Sequence, residues 1–274
     1  MKSQITTKTL YTMNNGLKIP SIGFGTYQLT TNPCLETSLA HAYKSGYRLI
    51  DTATMYSNEK LIGDAILHNN IPRSSIFLTT KIWMSDMSYS KAKTSINRSL
   101  QNFNTDYIDL VLIHWPIQDK QQHLNVWKVL EEFVHKGKVR SIGVSNFRVE
   151  HLEHLLPHCN IKPVINQIEC HPCYYDKQTI NYCKKNNILI EAYCPLAQYN
   201  EKLIKHPDII NIAKRVGKSV AQVILKWHLM NEIIPLPKSS HSNYIEDNIN
   251  IDDFDLTNED MEVINNIDIK YKRY

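Results

Sequence analysis

The chain has 274 residues, 42% of them hydrophobic and 21% charged, with a net charge of +4. That is an ordinary globular composition with enough length for a large core, and the charge is too small and too dispersed to make a nucleic-acid or membrane surface. No segment approaches the ~20 apolar residues of a membrane span, and the first residues lack the apolar core of a signal peptide, so the cytoplasm is the expected compartment. The cysteines at 34, 159, 170, 173, 183 and 194 are scattered and do not read as a disulfide framework. Cys170-His-Pro-Cys173 has the look of a redox or metal motif, but no second CxxC pair completes a site, so no metal is expected.

In chain order, strand-like residues 8–13 and 17–19 flank Asn14-Asn15-Gly16 and predict a β-hairpin. Residues 21–27 read as a first strand, and Pro33 starts a helix that Gly46 ends. From there apolar runs alternate with segments of helical spacing. Further strands are predicted over 47–51, 76–81, 108–114, 139–146, 164–167, 188–193 and 233–239. Helices are predicted over 59–68, 90–103, 125–136, 148–156, 176–185, 208–216, 219–229 and 242–250, and Thr257 to Asp260 caps a last one. The segments near 118–124 and 198–207 are expected to be short loops, and only residues 267–274 follow the last helix.

Eight strands in βα alternation imply parallel pairing, and in this length they favour an α/β (β/α)8 TIM barrel, one domain over residues 1–274. Gly23-Phe-Gly25 lacks the third glycine of a dinucleotide fingerprint and no helix follows it at the right place, which argues against a Rossmann site.

Several strands end in a polar residue, at the rim where barrels carry their chemistry. Asp51 and Tyr56 follow the second strand, Lys81 the third and His114 the fourth. Lowering a phenol pKa by two units takes about 3 kcal/mol, and a cation about 4 Å away supplies roughly 4 kcal/mol at an effective dielectric of ~20. Lys81 is therefore expected to tune Tyr56, with Asp51 holding Lys81 from behind and neutral His114 offering a hydrogen bond to a carbonyl oxygen. Such a phenol suits protonation of an oxyanion during hydride reduction, and the hydride must come from a cofactor. Ser145, Asn146 and Gln167 could hold a carboxamide, Tyr193 could stack on a flat ring, and Lys238 and Ser239 could take phosphate. Each residue alone is more simply structural; their joint position on successive exits is the signal.

The chain resembles the aldo-keto reductase family over almost its whole length. The matching words are Asp51-Thr-Ala-x-x-Tyr56-x-Asn-Glu59, Thr80-Lys81-Ile-Trp83, Ile113-His114-Trp115-Pro116, Ile142-Gly-Val-Ser145-Asn146-Phe147, Asn166-Gln167-x-Glu169-x-His171-Pro172 and Tyr193-x-Pro195-Leu196. Within that family it resembles short-loop microbial reductases of aldehydes, methylglyoxal and diketogluconate. The resemblance implies a barrel whose base the hairpin closes, and a nicotinamide cofactor used to reduce aldehydes and ketones. It implies a tetrad of Tyr56 as general acid with Asp51, Lys81 and His114. Nicotinamide binding is implied for Ser145, Asn146, Gln167 and Tyr193. Further cofactor contacts are implied for Gly25, Thr26, Asp51, Pro195 and Leu196, and the adenosine-phosphate end for Lys238, Ser239 and Asn248. Tyr27, Trp83 and Trp115 look like pocket walls beside His114.

The family usually has an arginine where this chain has Tyr244, and a glutamate at Asp247. NADPH is favoured because Lys238 and Ser239 remain, with NADH use open because tyrosine lacks the guanidinium fork. The short loops predict an open pocket that discriminates poorly among small aldehydes. A monomer is expected. The alternative is a nucleotide-binding regulatory subunit of the same fold with little turnover. A barrel hydrolase would need two rim acids, and Glu191 lies inside the seventh strand rather than at its exit.

Overall fold

The computed structural model describes residues 5–273. The elements run β1 (Leu10–Thr12), β2 (Lys18–Pro20), β3 (Gly23–Gly25), α1 (Asn32–Ser45), β4 (Leu49–Asp51), α2 (Glu59–His68), β5 (Phe77–Ile82), α3 (Tyr89–Asn102), β6 (Ile108–Ile113) and α4 (Lys120–His135). They continue with β7 (Val139–Ser145), α5 (Val149–Leu155), β8 (Ile165–Glu169), α6 (Lys177–Lys185) and β9 (Leu189–Tyr193). The last are α7 (Glu201–Ile204), α8 (Pro207–Val216), α9 (Val220–Met230), β10 (Ile233–Pro235), α10 (Ser242–Ile249) and α11 (Asn258–Asn265).

Strands β3 to β10 pair in chain order, each parallel to the next. The Gly25 N–H donates to Pro237 O at 3.0 Å and brings the two edges together, so the sheet is a barrel. The predicted eight-stranded (β/α)8 architecture is what the chain adopts. A Cβ on Gly143 would lie 2.7 Å from Ile165 O, so only glycine lets β7 and β8 pack this closely.

β1 and β2 form the predicted antiparallel hairpin. The Asn14 side chain donates to Pro163 O and Asn187 O at 2.8 and 3.2 Å, and Asn15 donates to Ser141 Oγ at 3.0 Å. Those partners sit at or near the starts of β7, β8 and β9, so the hairpin covers the barrel base. Met13 and Ile19 pack there on Leu110, Leu112, Ile165 and Ile234. A second apolar layer fills the space between sheet and helices.

Caps fall where the sequence puts them. Gly46 takes φ 110° after α1, Asp176 accepts from Thr179 N–H at the start of α6, and Thr257 and Asp260 form a reciprocal box on α11. Two predicted loops are partly helical. α4 begins at Lys120, capped by the Asp119 side chain, and α7 lies within 198–207. The polar first turn of α4 carries no apolar period, which is why spacing alone started it late.

Candidate active site

Asp51 ends β4 and Lys81 lies near the end of the adjacent β5. Lys81 is 1% exposed, and its ammonium donates to both Asp51 oxygens at 2.6 and 2.8 Å and to Thr52 O at 2.8 Å. Those three bonds use all three donors of the ammonium. Tyr56 sits on a single 3-10 turn, Thr54–Tyr56, closed by left-handed Ser57. Two ties hold this turn. Thr54 Oγ1 donates to Lys81 O at 2.9 Å, and Asn58 accepts from Thr52 Oγ1 at 2.6 Å while donating to Thr26 O and Leu29 O. Glu59, the next residue, is buried and accepts from Thr80, Ser99 and Asn102.

The Lys81 ammonium lies 5.2 Å from the Tyr56 ring centroid. His114, just after β6, meets Tyr56 and Trp83 edge-on with ring centroids 5.8 and 5.0 Å away, and Tyr27 tilts onto Tyr56 at 5.0 Å. Burial, then the charge of Lys81, pushes the His114 imidazole down to about 2, so it is neutral. The expected lowering of the Tyr56 phenol is overturned. Burial first, and the Asp51 carboxylate second, raise it well above its ordinary value. The reason is that the positive charge of Lys81 is already balanced by Asp51 at 2.6 Å, so little of it reaches the phenol.

Opposite these groups, Ser145 Oγ donates to Gln167 O at 2.8 Å. Asn146, at φ 63°, donates to His114 O and Ser145 Oγ, both at 3.1 Å, and accepts from Tyr193 OH at 2.8 Å. Gln167 reaches across the barrel. Its Nε2 donates to Asp51 Oδ2 and to Glu191 Oε2, each at 2.8 Å.

A cavity of about 760 Å³ opens at this rim. Tyr27, Tyr56, Trp83, His114 and Trp115 line one part of it, and Gly25, Thr26, Tyr193, Pro195, Leu196 and Lys238 another, with Asp51, Asn146 and Gln167 between. Four predicted residues are not in its wall. Lys81 and Ser145 are buried and bonded as described, Ser239 Oγ accepts from His241 N–H, and Asn248 is 4% exposed on α10. Sequence reasoning missed Met55, Met84, Tyr199 and Arg273 in the wall. Met55 and Met84 flank motif residues and carried a weak signal. Arg273 carried none. The tail expected to leave the pocket open returns to it, because the Arg273 N–H donates to the buried Glu169 carboxylate at 2.7 Å. Glu191 was also set aside as a strand residue, although its side chain enters the network.

The cysteines of the CxxC word are buried thiols beside the turn after β8, and burial pushes Cys173 up to about 11. Among the described residues no helix is long and apolar enough to cross a membrane.

A parallel barrel with a Tyr-Lys-Asp-His cluster at the C-terminal rim defines a reductase-like site. The aldo/keto reductase family profile matches residues 21–269, and the chain belongs to that family. It is 40% identical to the glyoxal reductase of Bacillus subtilis over 252 residues, covering 92% of this chain and 90% of that protein. An aldo-keto reductase from a Medee basin deep-sea metagenome library superposes with a TM-score of 0.93 at 39% identity, covering 96% of this chain and 97% of the other. A Bombyx mori aldo-keto reductase solved in complex with NADP superposes at 0.89 with 30% identity, covering 98% and 95%.

Proposed function

We propose that this chain, as one barrel domain over 1–274 and as a monomer, reduces small aldehydes and ketones to alcohols with NADPH, Tyr56 giving the proton. The observation that carries this reading is the bonded cluster. A phenol that keeps its proton and a neutral imidazole face one cavity, over a lysine whose charge is fixed by Asp51. A carbonyl oxygen between Tyr56 and His114 would accept hydrogen bonds from both. The raised phenol does not prevent transfer, since an alkoxide is a far stronger base than a phenolate.

The residues present fit a nicotinamide nucleotide. Asn146, Gln167 and Tyr193 give a polar edge and a flat ring, the Pro195-Leu196 turn gives a wall, and exposed Lys238 gives a cation at the cavity edge. When bound, such a cofactor supplies the hydride. Gly25 and Thr26 approach the same space, while Ser145 acts from behind by bonding Asn146 and the Gln167 backbone. Ser239 and Asn248, outside the wall, would meet only the adenosine end. NADPH is favoured over NADH because Lys238 is available to a phosphate, and NADP is the nucleotide held by the silkworm relative. The aromatic walls Tyr27, Trp83 and Trp115 select small carbonyls loosely, and glyoxal-type dialdehydes are in the class, as the name of the Bacillus relative suggests.

The test is loss of reduced-nicotinamide absorbance with a panel of small aldehydes, NADPH and NADH side by side, for wild type and Tyr56→Phe. Aldehyde-dependent oxidation should fall about 10²- to 10⁴-fold in the variant. Nucleotide binding without turnover by the wild type would instead support a regulatory subunit.

A further inference from the structure

Glu191 stands on β9 beside Gln167 on β8, directly paired in register, with its carboxyl group inside the barrel. It is fully buried, and no charged side chain is bonded to it. Its Oε2 accepts from Gln167 Nε2 at 2.8 Å, and its Oε1 has no partner among the described residues. The second hydrogen of the same amide goes to Asp51 Oδ2 at 2.8 Å. Both donors of the Gln167 amide are therefore spent inside the barrel on two different carboxyl groups. The carbonyl oxygen of that amide is left for the cavity, which Gln167 lines. The flipped amide would set its oxygen against the Asp51 Oδ2 acceptor, and that repulsion fixes the assignment.

We propose that Glu191 is a positioning residue that locks the Gln167 carboxamide with its nitrogen turned into the barrel and its oxygen turned toward the nicotinamide end of the cavity. The inference rests on the nucleotide-dependent reading above. The lock makes Gln167 an acceptor only, so it selects a ligand group that donates, such as the amide N–H of a nicotinamide carboxamide. Asp51 alone would hold one hydrogen and leave the other without an acceptor. Burial first, and the neighbouring Asp51 second, raise the Glu191 carboxyl to about 8, so near neutral pH it carries a proton. A neutral carboxylic acid is closely mimicked in size and acceptor geometry by glutamine. The charged groups facing it are Asp51 and Lys81. Its strand partners, Gln167 and Ile234, carry no charge.

The experiment measures NADPH and NADH dissociation constants by fluorescence, and kcat at saturating nucleotide, for wild type, Glu191→Gln and Glu191→Leu. Glu191→Leu should weaken nucleotide binding about tenfold, the size of one lost buried hydrogen bond, with kcat at saturation little changed. Glu191→Gln should bind as the wild type does. In a Gln167→Ala background, Glu191→Leu should add no further loss. The inference is overturned if Glu191→Leu binds like the wild type, if Glu191→Gln is as weak as Glu191→Leu, or if the losses add fully in the double variant. If Glu191→Leu does not fold, as judged by its melting, the Glu191→Gln constant decides alone, since weakening there refutes the lock. A wild type that binds neither nucleotide would instead overturn the functional reading, and this inference with it.

Discussion

At the Tyr56 end of the cavity the ammonium of Lys81 has three acceptors, Asp51 has Lys81 and Gln167, and the turn carrying Tyr56 is tied by Thr54 and Asn58. At the Lys238 end, Lys238 and Tyr244 are exposed, Tyr244 at 54%, and among the described residues Lys238 makes no ion pair. The first end is organised by folding, because a buried charge without partners costs several kcal/mol and so must be satisfied within the chain. The second is solvated, so water satisfies it until a ligand arrives. On the proposed reading, chemistry falls where the fold is over-determined, and nucleotide choice where side chains are cheap to change.

The sharpest way to break this contrast is Lys81→Met. It leaves the Asp51 carboxylate buried without its cation, and the expected outcome is about 3–5 kcal/mol lost in denaturant unfolding as well as lost activity. Activity loss with unchanged unfolding would show that the pair is not part of the scaffold. Glu59→Ala comes next. Thr80, Ser99 and Asn102 lose their shared acceptor, and we expect about 2–3 kcal/mol less stability, read by the same unfolding curves.

A third test uses His123, whose Nε2 accepts the Ile117 N–H at 2.6 Å and so anchors the chain just after Trp115. Burial, with the neighbouring His151 and His154 and against Asp119, lowers His123 to about 4. Its folded value lies below the unfolded value of about 6.5, so its contribution is full above about pH 6.5 and is lost as pH falls toward about 4, by up to about 1.4 kcal/mol per pH unit. The Tm of His123→Gln should therefore decline less steeply over that window than the wild-type Tm, and parallel slopes would count against it. The smallest effect is expected at the loose end. Tyr244→Arg should improve NADPH over NADH by about three- to tenfold in kcat/KM, with Tm unchanged. A large stability change there would mean that this end, too, is built by folding.

The sequence by itself determined the barrel, since alternation of apolar runs and helical spacing is a local property and strand ends mark the rim. It also brought Asp51, Tyr56, Lys81 and His114 together, because adjacent parallel strands end side by side. Only the tertiary structure decided how these residues are wired. The Gln167–Asp51 bond joins residues 116 apart across the barrel, and no spacing in the chain encodes it. For the same reason Glu191 read as an acid inside a strand rather than at its exit, and Arg273 as one of the few residues after the last helix. The Tyr56 phenol is raised rather than lowered because a pKa answers to burial and to the net field of all neighbours, and both exist only once the barrel has closed.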